Sequence, residues 1–174
     1  MGYIEGGDVT PIGGLARKVN GYEIQVAEFQ RAGLFERASV NELVALFTAI
    51  VYEPRKMDDT DPQSMRPEKE SLKLVRDWRR EEKRQGLREL TKRPQFGLNA
   101  VALAWARGAD FENLKRLTSA SEGDLVRTFR MSLQLMRQLR RVLPLDDPLR
   151  AKLADAAARM DRDVVDARRQ LELG

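Results

Sequence analysis

Four arginines and two glutamines recur at helical spacing in the second half of the sequence, where their side chains could bind a phosphate backbone. They are Arg127, Arg130, Gln134, Arg137, Gln138 and Arg141. At about 100° per residue, these positions fall within an arc roughly 100° wide on one α-helix. Guanidinium groups hold phosphates through forked hydrogen bonds and stack on unpaired bases. The spacing therefore predicts a nucleic-acid-binding strip that grips the backbone without reading sequence.

The strip lies on a segment that is predicted to form one long helix, Ser121–Leu143. Ser121 followed three residues later by Asp124 is a helix-start pattern, and no proline occurs before Pro144. Such a helix runs for about six turns, or roughly 30 Å. Apolar residues cover most of its remaining surface: Leu125, Val126, Phe129, Leu133, Leu135, Met136, Leu139, Val142 and Leu143. We expect a helix that is packed on several sides and exposes its arginine strip.

Basic residues are concentrated in two segments of the chain. The 174 residues include 31 basic and 27 acidic side chains, for a net charge of +4. Residues 66–93 carry eleven basic and six acidic residues, and residues 115–141 carry seven and two, so each segment has a charge of +5. Arginine supplies 23 of the 31 basic residues. This usage suits phosphate contacts, but it is equally compatible with solvated surface charge.

Several kinds of chemistry are disfavoured by what the sequence lacks. It has no cysteine, which excludes disulfides and thiol nucleophiles, and no histidine, the commonest general base and metal ligand. It contains neither a phosphate loop nor a dinucleotide-binding motif. Aspartates 58, 59 and 61 lack the spacing and the closing glutamate of a calcium loop. We therefore expect no catalytic, cofactor-binding or metal-binding residues in this chain.

The sequence also carries no sign of a membrane or of secretion. No apolar run approaches the roughly 18 residues that span a bilayer. No signal peptide precedes Gly2–Val9. We expect a cytoplasmic protein with no membrane partner.

The predicted fold is all-α, a multi-helix bundle with a short N-terminal β-hairpin. Tyr3-Ile4 and Val9-Thr10 flank a Gly-Gly-Asp turn, and a lone hairpin is only marginally stable in water. The hairpin is therefore expected to be the end of a module that begins outside this chain. Helices are then predicted at Leu15–Asn20, at Tyr22–Ala32, which Gly33 ends, and at Val40–Tyr52, which a Ser39/Glu42 capping box opens.

The rest of the chain is predicted to contain a loop and four further helices around the arginine helix. Residues 53–65 form a loop, and Pro67–Leu90 is a charged helix anchored by Leu72, Val75, Trp78 and Leu87. Phe96–Arg107 is apolar nearly all round and predicts a buried helix, after which Asp110 caps a short helix, Phe111–Leu117. A final packing helix buries Leu149, Leu153, Ala156, Met160, Val164, Ala167 and Leu171.

We assign residues 1–174 to a single helical domain. Within it, residues 1–12 are the hairpin of a preceding module and residues 13–53 are the N-terminal helices. Residues 54–66 are a loop, and residues 67–174 are the helical bundle.

Three functional alternatives remain open on the residues alone. The strip can bind nucleic acid, or it can pair with acidic residues of another domain in a protein-interaction bundle. The short helix, turn and long helix within residues 111–143 also match the outline of a helix-turn-helix DNA-binding regulator. The charged helix at residues 67–90 has its own two interpretations, a solvated surface or a second nucleic-acid face.

Five blocks of residues occur in an order that is also found in one known family. The blocks are Gly2-Tyr3-Ile4 with Val9-Thr10, Gly13 and Ala16; Glu28, Gly33 and Phe35; Gly97-Leu98, Val101, Trp105-Ala106-Arg107-Gly108 and Phe111; Leu117-Thr118, Glu122-Gly123, Val126-Arg127, Arg130 and Arg137-Gln138; and Arg162-Asp163-Val164-Val165. Together they resemble the C-terminal helical domain, called DSHCT, of DExH-box RNA helicases of the exosome-associated class. The resemblance extends from Gly2 to about Val165.

This resemblance implies an accessory domain of an ATP-dependent RNA helicase. The domain would follow a winged-helix module, pack on the two ATPase lobes in cis, and guide single-stranded RNA along its long helix. ATP and magnesium would be bound only by the lobes of the parent helicase, with no cofactor in this chain.

The chain departs from the family pattern at a few positions. Gly14 stands where the family usually has arginine, and Ser119 and Asp124 replace an aspartate and a serine. Leu133 and Gln134 replace a pair of glutamates, which makes the arginine strip more basic.

Overall fold

The computed structural model describes residues 2–55 and 65–166. In this part of the chain a two-stranded hairpin precedes nine α-helices and two 3-10 turns. The elements are β1 Ile4–Glu5, β2 Asp8–Val9, α1 Pro11–Ala16, α2 Glu23–Arg31, α3 Leu34–Arg37, α4 Val40–Val51, α5 Arg66–Arg84, a 3-10 turn at Phe96–Leu98, α6 Asn99–Ala106, α7 Phe111–Leu114, α8 Glu122–Val142, α9 Leu149–Met160 and a 3-10 turn at Asp163–Val165. The all-α prediction with an N-terminal hairpin is confirmed.

The hairpin is docked on α1 through a backbone contact that only glycine permits. Ile4 pairs with Val9 across the antiparallel strands. Gly13 is buried against the hairpin, and a Cβ at this position would lie 2.2 Å from the Tyr3 carbonyl oxygen. The Thr10 side chain caps α1 by accepting a 3.2 Å hydrogen bond from the Gly13 amide. The predicted helix at Leu15–Asn20 was therefore wrong in its bounds, because Thr10 and Pro11 start the helix ahead of its glycines.

Helix α4 is the centre of the bundle. Its capping box forms as predicted, with the Ser39 amide donating to Glu42 Oε2 at 2.8 Å and the Glu42 amide donating to Ser39 Oγ at 3.3 Å. Residues 43–51 are buried without interruption. Helices α5, α6, α8 and α9 all pack against α4. A helix that is apolar all round is covered on every side, as here.

Two separate groups of aromatic rings pack in the core. Phe35 stacks on Phe47 of α4 with ring centroids 4.9 Å apart, and Phe29 lies 5.3 Å from Trp78 of α5. The second group is centred on Trp105 of α6, which stacks on Phe129 of α8 with centroids 5.7 Å apart. Because each group joins different helices, the aromatic side chains fix α5 and α8 on the bundle separately.

Helix α5 is shorter than the predicted helix at Pro67–Leu90. It ends at Arg84, after which the chain turns at Gly86 with a φ of +75°. Buried Glu82 then accepts a 2.9 Å hydrogen bond from the Thr91 amide and holds the returning chain. Two predicted anchors were also wrong: Leu72 is 38% exposed and Leu87 is 55% exposed.

The final helix also ends early. Helix α9 stops at Met160, and a turn with a φ of +50° at Asp163 follows, so the helix predicted as far as Leu171 does not form between residues 161 and 166. Val165 is buried in this turn, whereas the predicted Val164 is only partly buried. The predicted positions Ala167 and Leu171 lie outside the described residues.

The elements before α8 agree with prediction in type and differ at their ends. Residues 96–106 form a buried turn and helix, as expected. Helix α7 spans Phe111–Leu114 and not Phe111–Leu117, and the Asp110 side chain makes no capping hydrogen bond.

Candidate nucleic-acid interface

Helix α8 carries all six residues of the predicted strip and is fixed at its N-terminus by a cap. Ser121 Oγ accepts a 3.2 Å hydrogen bond from the Asp124 amide and donates one to the Asp124 carboxylate at 2.7 Å. The bond from Ser121, followed by the charge of Arg55, lowers the pKa of Asp124. The apolar side of α8 is buried, together with Thr128 and Ser132. Packing on α4 and α9 thus leaves one narrow side of α8 for contact with a ligand.

The strip residues line two adjoining grooves between α8 and the turn that follows α9. The larger groove has a volume of 790 Å³ and includes Arg127, Arg130 and Gln134. The smaller groove has a volume of 490 Å³. Its strip residues are Arg130, Gln134, Arg137, Gln138 and Arg141. Because Arg130 and Gln134 line both, we treat the two as one continuous surface, the α8 groove.

Arg130 has a structural role in this groove. Its Nε donates to the Val165 carbonyl at 3.1 Å, and a terminal nitrogen donates to the Val164 carbonyl at 3.0 Å. Both acceptors belong to the 3-10 turn after α9. The guanidinium group therefore ties α8 to this turn and forms the floor of the groove.

Arg137 and Gln138 are also engaged within the protein. Arg137 forms an ion pair with Asp161 at 2.5 Å, and the Asp161 side chain is only 19% exposed. Gln138 Oε1 accepts a 3.2 Å hydrogen bond from the Asn20 amide. A ligand would have to displace Asp161 from the Arg137 side chain, or accept hydrogen bonds from the guanidinium N–H groups that Asp161 does not bind.

Arg127, Gln134 and Arg141 are exposed members of the strip that no described contact ties to another element. The Arg127 side chain is 57% exposed and lies 3.8 Å from Asp124. Gln134 and Arg141 are exposed, and neither forms a hydrogen bond or ion pair with a residue that the structure describes. These three side chains extend over about 21 Å of helix.

Acidic residues border the α8 groove along its length. Asp110, Glu112, Glu122 and Asp163 line the larger part. Asp161 and Asp166 line the smaller part. Except for Glu122, the first residue of α8, these acids come from other elements, so the sequence pattern of α8 did not reveal them. The groove is thus less positive than the strip alone predicts, and its attraction for phosphate depends mainly on the exposed arginines.

Several residues of the five sequence blocks meet in contacts that hold the fold together. The Tyr3 hydroxyl donates to Glu28 Oε1 at 2.7 Å, and Tyr3 and Gly13 form the hairpin contact described above. Arg162 lies over the ring of Trp105. Arg130 binds the carbonyls of the neighbouring block residues Val164 and Val165. The spacing of the blocks did not show these pairings, because their partners are far apart in sequence.

The described residues show no sign of a metal centre or a membrane span. Within residues 2–55 and 65–166, no group of three or more acidic side chains is arranged to hold a metal ion. In the same ranges, no helix combines the length and apolarity needed to cross a bilayer.

The sequence matches a known family over most of its length. The family model of the DSHCT (NUC185) domain matches residues 6–167. The chain belongs to the DSHCT family, which confirms the class of protein predicted from the sequence.

The chain is similar to parts of several larger proteins. It is 28% identical to "Superkiller complex protein 2" of Mus musculus over 95% of this chain and 14% of that protein. It is 27% identical to "ATP-dependent RNA helicase mtr4" of Schizosaccharomyces pombe over 95% of this chain and 16% of that protein. It is 30% identical to "Probable helicase HelY" of Mycobacterium leprae over 87% of this chain and 18% of that protein. The chain thus spans less than a fifth of the length of each relative.

Proposed function

We propose that this chain is the accessory C-terminal domain of an ATP-dependent DExH-box RNA helicase. In this proposal the α8 groove contacts single-stranded RNA, and the domain packs in cis on ATPase lobes that bind ATP and magnesium. The observation that carries the RNA contact is the continuous groove along α8, in which Arg127, Gln134 and Arg141 are accessible. Membership of a family whose matched relatives include named RNA helicases supports the parent activity.

The geometry of the groove suits a single strand held mainly through its backbone. Arg127 and Arg141 lie near opposite ends of the strip, about 21 Å apart along the helix axis. Guanidinium groups at this separation would contact two phosphates that lie several nucleotides apart on one strand. Gln134 lies between the two arginines. No aromatic side chain other than Phe111 lines the two grooves in the described part of the chain. Contacts to phosphate should therefore dominate over base stacking.

The N-terminus of α8 disfavours the helix-turn-helix alternative. A recognition helix presents its N-terminal residues to base edges in the major groove of DNA. Here those positions hold Glu122, which pairs with Lys115 at 2.5 Å, and Asp124, which pairs with Arg55 at 2.8 Å. Carboxylates at this end would be repelled by DNA phosphates. The protein-interaction alternative is tested by the experiment below.

The proposal is tested by the salt dependence of RNA binding. A fluorescein-labelled 20-nucleotide uridine RNA is titrated with the full chain, and its anisotropy is followed between 50 and 200 mM salt. The variant Arg127→Ala/Arg141→Ala should bind more weakly, and its log–log salt slope should fall by about 1.4, since each contact to single-stranded phosphate contributes about 0.7. The control Arg107→Ala/Arg116→Ala removes two exposed arginines outside the α8 groove and should change the slope much less.

Four results would contradict this function. One is wild-type binding that is absent or independent of salt, and another is an equal loss of affinity in the two variants. A preference for one duplex DNA sequence over the uridine RNA would favour the helix-turn-helix instead. If Arg127→Ala/Arg141→Ala bound RNA as wild type does but no longer bound the parent ATPase lobes, the strip would be assigned to protein interaction.

A further inference from the structure

Helix α5 exposes a second row of basic side chains, which the α8 groove does not include. The seven residues are Arg66, Lys69, Lys73, Arg76, Arg80, Lys83 and Arg84, and all are exposed. At about 100° per residue they fall within an arc roughly 100° wide on a helix about 27 Å long. We call them the α5 basic face. No residue of α5 lines either part of the α8 groove.

Acidic residues neutralise only one edge of this face. Asp77 lies 3.2 Å from Arg80, and Glu81 lies 3.1 Å from Arg84. Glu70 lies 4.0 Å from Arg66 and 2.8 Å from Arg37 of α3. All three acids project from the same side of the basic arc, at about 20° to 60° beyond its edge.

The other edge of the face keeps its positive charges. Lys69, Lys73, Arg76 and Lys83 form no ion pair or hydrogen bond through their side chains with any residue in the described ranges. Successive members of the row, including Arg80, are separated by about 4.5 to 6 Å along the helix axis. The result is a regular line of charges that are accessible to a large anion.

The protein holds α5 rigidly in this position. The opposite side of the helix buries Val75 and Trp78 against the rest of the bundle. At its C-terminal end, Arg79 donates to the Thr91 carbonyl at 2.6 Å, and Glu82 binds the Thr91 amide. The helix that carries the row of charges is therefore held in place before any ligand binds, so binding does not have to order its backbone.

We propose that the α5 basic face is a second binding surface, which takes the phosphodiester backbone of RNA outside the α8 groove. It goes beyond the proposed function, because it needs neither the α8 strip nor the ATPase lobes. Lysine ammonium groups act as point charges on phosphate, and no aromatic side chain lies within the face to stack on bases. The surface should accept single-stranded and duplex RNA alike, without sequence preference.

Charge and composition favour RNA over a protein or a membrane as the occupant. The centre of a protein interface is depleted in lysine and built on apolar or aromatic anchors, whereas this face contains three lysines and no apolar residue. A membrane-binding helix must insert its apolar side, but Val75 and Trp78 of α5 are already buried in the core. A row of lysine and arginine along one helix face is the usual electrostatic footprint of a nucleic-acid contact.

The test uses the full chain with Lys69→Gln/Lys73→Gln/Arg76→Gln and a matched control, Lys18→Gln/Arg107→Gln/Arg116→Gln. Each variant removes three positive charges from a chain of net charge +4, and all six residues are exposed. Binding is measured from 50 to 200 mM salt with a 20-nucleotide uridine RNA and with a 16-base-pair RNA duplex. The α5 variant should lose between about 10-fold and 100-fold in affinity at 0.1 M salt. Its salt slope should fall by about two units on the single strand and by nearly three on the duplex.

Combining the α5 variant with Arg127→Ala/Arg141→Ala separates this proposal from the proposed function. If one single-stranded RNA contacts both surfaces at once, the losses in binding free energy add, because the two surfaces share no residue. Loss of duplex binding in the α5 variant, with the α8 variant unaffected, supports the α5 face even if the α8 proposal fails. Equal slopes for the α5 variant and its control on both RNAs would overturn the proposal. So would binding of the α5 face to phosphatidylserine vesicles or to an acidic peptide with RNA binding unchanged.

Discussion

The guanidinium group of Arg162 lies over the indole ring of Trp105, with its central carbon 3.5 Å from the ring centroid. The same guanidinium donates to the carbonyl oxygens of Trp105 at 2.8 Å and Ala109 at 2.7 Å. Burial lowers the pKa of Arg162. In return, the indole nitrogen of Trp105 donates to the Met160 carbonyl at 3.1 Å. These contacts fasten the end of α9 to α6, and they fix the turn that borders the α8 groove.

Loss of the Arg162 contact should destabilise the fold. Arg162→Ala should lower the free energy of unfolding by about 2–4 kcal/mol, because a cation–π contact and two charge-assisted hydrogen bonds disappear together. Arg162→Lys should recover only part of this loss, since an ammonium group cannot stack while reaching both carbonyls. Urea denaturation followed by circular dichroism measures the difference. The exposed control Arg107→Ala should stay within about 0.5 kcal/mol of wild type, and an equally small effect of Arg162→Ala would contradict the structural role.

Adjacent glycines in α1 should respond in opposite directions to a single methyl group. Gly13→Ala would place a Cβ 2.2 Å from the Tyr3 carbonyl oxygen, so the hairpin must move away from α1. We expect a loss of about 2–3 kcal/mol in the free energy of unfolding, as for other overpacked sites. Gly14 has no atom within 4 Å of its ideal Cβ, and it lies in the same helix. Gly14→Ala should be neutral or stabilise the chain by up to about 1 kcal/mol. Thermal unfolding of the two variants checks this contrast, and equal shifts in their melting temperatures would rule it out.

Tyr3 should make the fold sensitive to alkaline pH. Burial raises the pKa of Tyr3 above its ordinary value, and its hydrogen bond to Glu28 raises it further. A group whose pKa is higher in the folded state stabilises the protein fully below the unfolded value, here about pH 10, and this contribution is lost as the pH rises further. Wild type should therefore lose stability more steeply above pH 10 than Tyr3→Phe, which cannot ionise. Urea denaturation of both proteins between pH 7 and pH 11 measures the difference, and parallel curves would refute the link.

Arg130 and Arg141 should separate stability from RNA binding. Arg130→Ala removes two hydrogen bonds to the turn after α9 and should cost about 1.5–3 kcal/mol in the free energy of unfolding. Arg141→Ala alters an exposed side chain and should change stability by less than about 0.5 kcal/mol. Its effect should appear as a salt slope lowered by about 0.7 on single-stranded RNA. Urea denaturation and RNA titration of each variant test these two expectations. A large stability loss in Arg141→Ala, with no stability loss in Arg130→Ala, would disprove them.

The helices with strong local signals could be predicted from the sequence. The Ser39/Glu42 pattern predicts the start of α4, and Ser121 with Asp124 predicts the start of α8, because a capping pattern lies within four residues. The errors at the ends of α5 and α9 arise from tertiary contacts. Glu82 binds Thr91 across the turn, and Arg162 binds Trp105, pairings that no local pattern contains.

The candidate site could be predicted only in part, because tertiary contacts also determine which of its residues are free to bind a ligand. Helical spacing identified which residues of α8 share a face, and the structure places all of them along one groove. It could not show that Arg130 and Arg137 are bound to the segment after α9, because this segment lies more than 20 residues away. A pattern on one helix gives the direction of its side chains but not their partners.

The burial of most of α4 has a consequence for how the domain opens. Nine consecutive residues, 43–51, are shielded from solvent, and the Gln95 amide donates to the Ala49 carbonyl at 2.7 Å near the end of the helix. Because α5, α6, α8 and α9 all pack on α4, we expect these amides to stay protected when one outer helix frays, and to exchange with deuterium when the whole bundle unfolds. The two-residue strands of the hairpin are exposed and should exchange far sooner. The slowest-exchanging amides of α4 would therefore report the global stability of the domain directly.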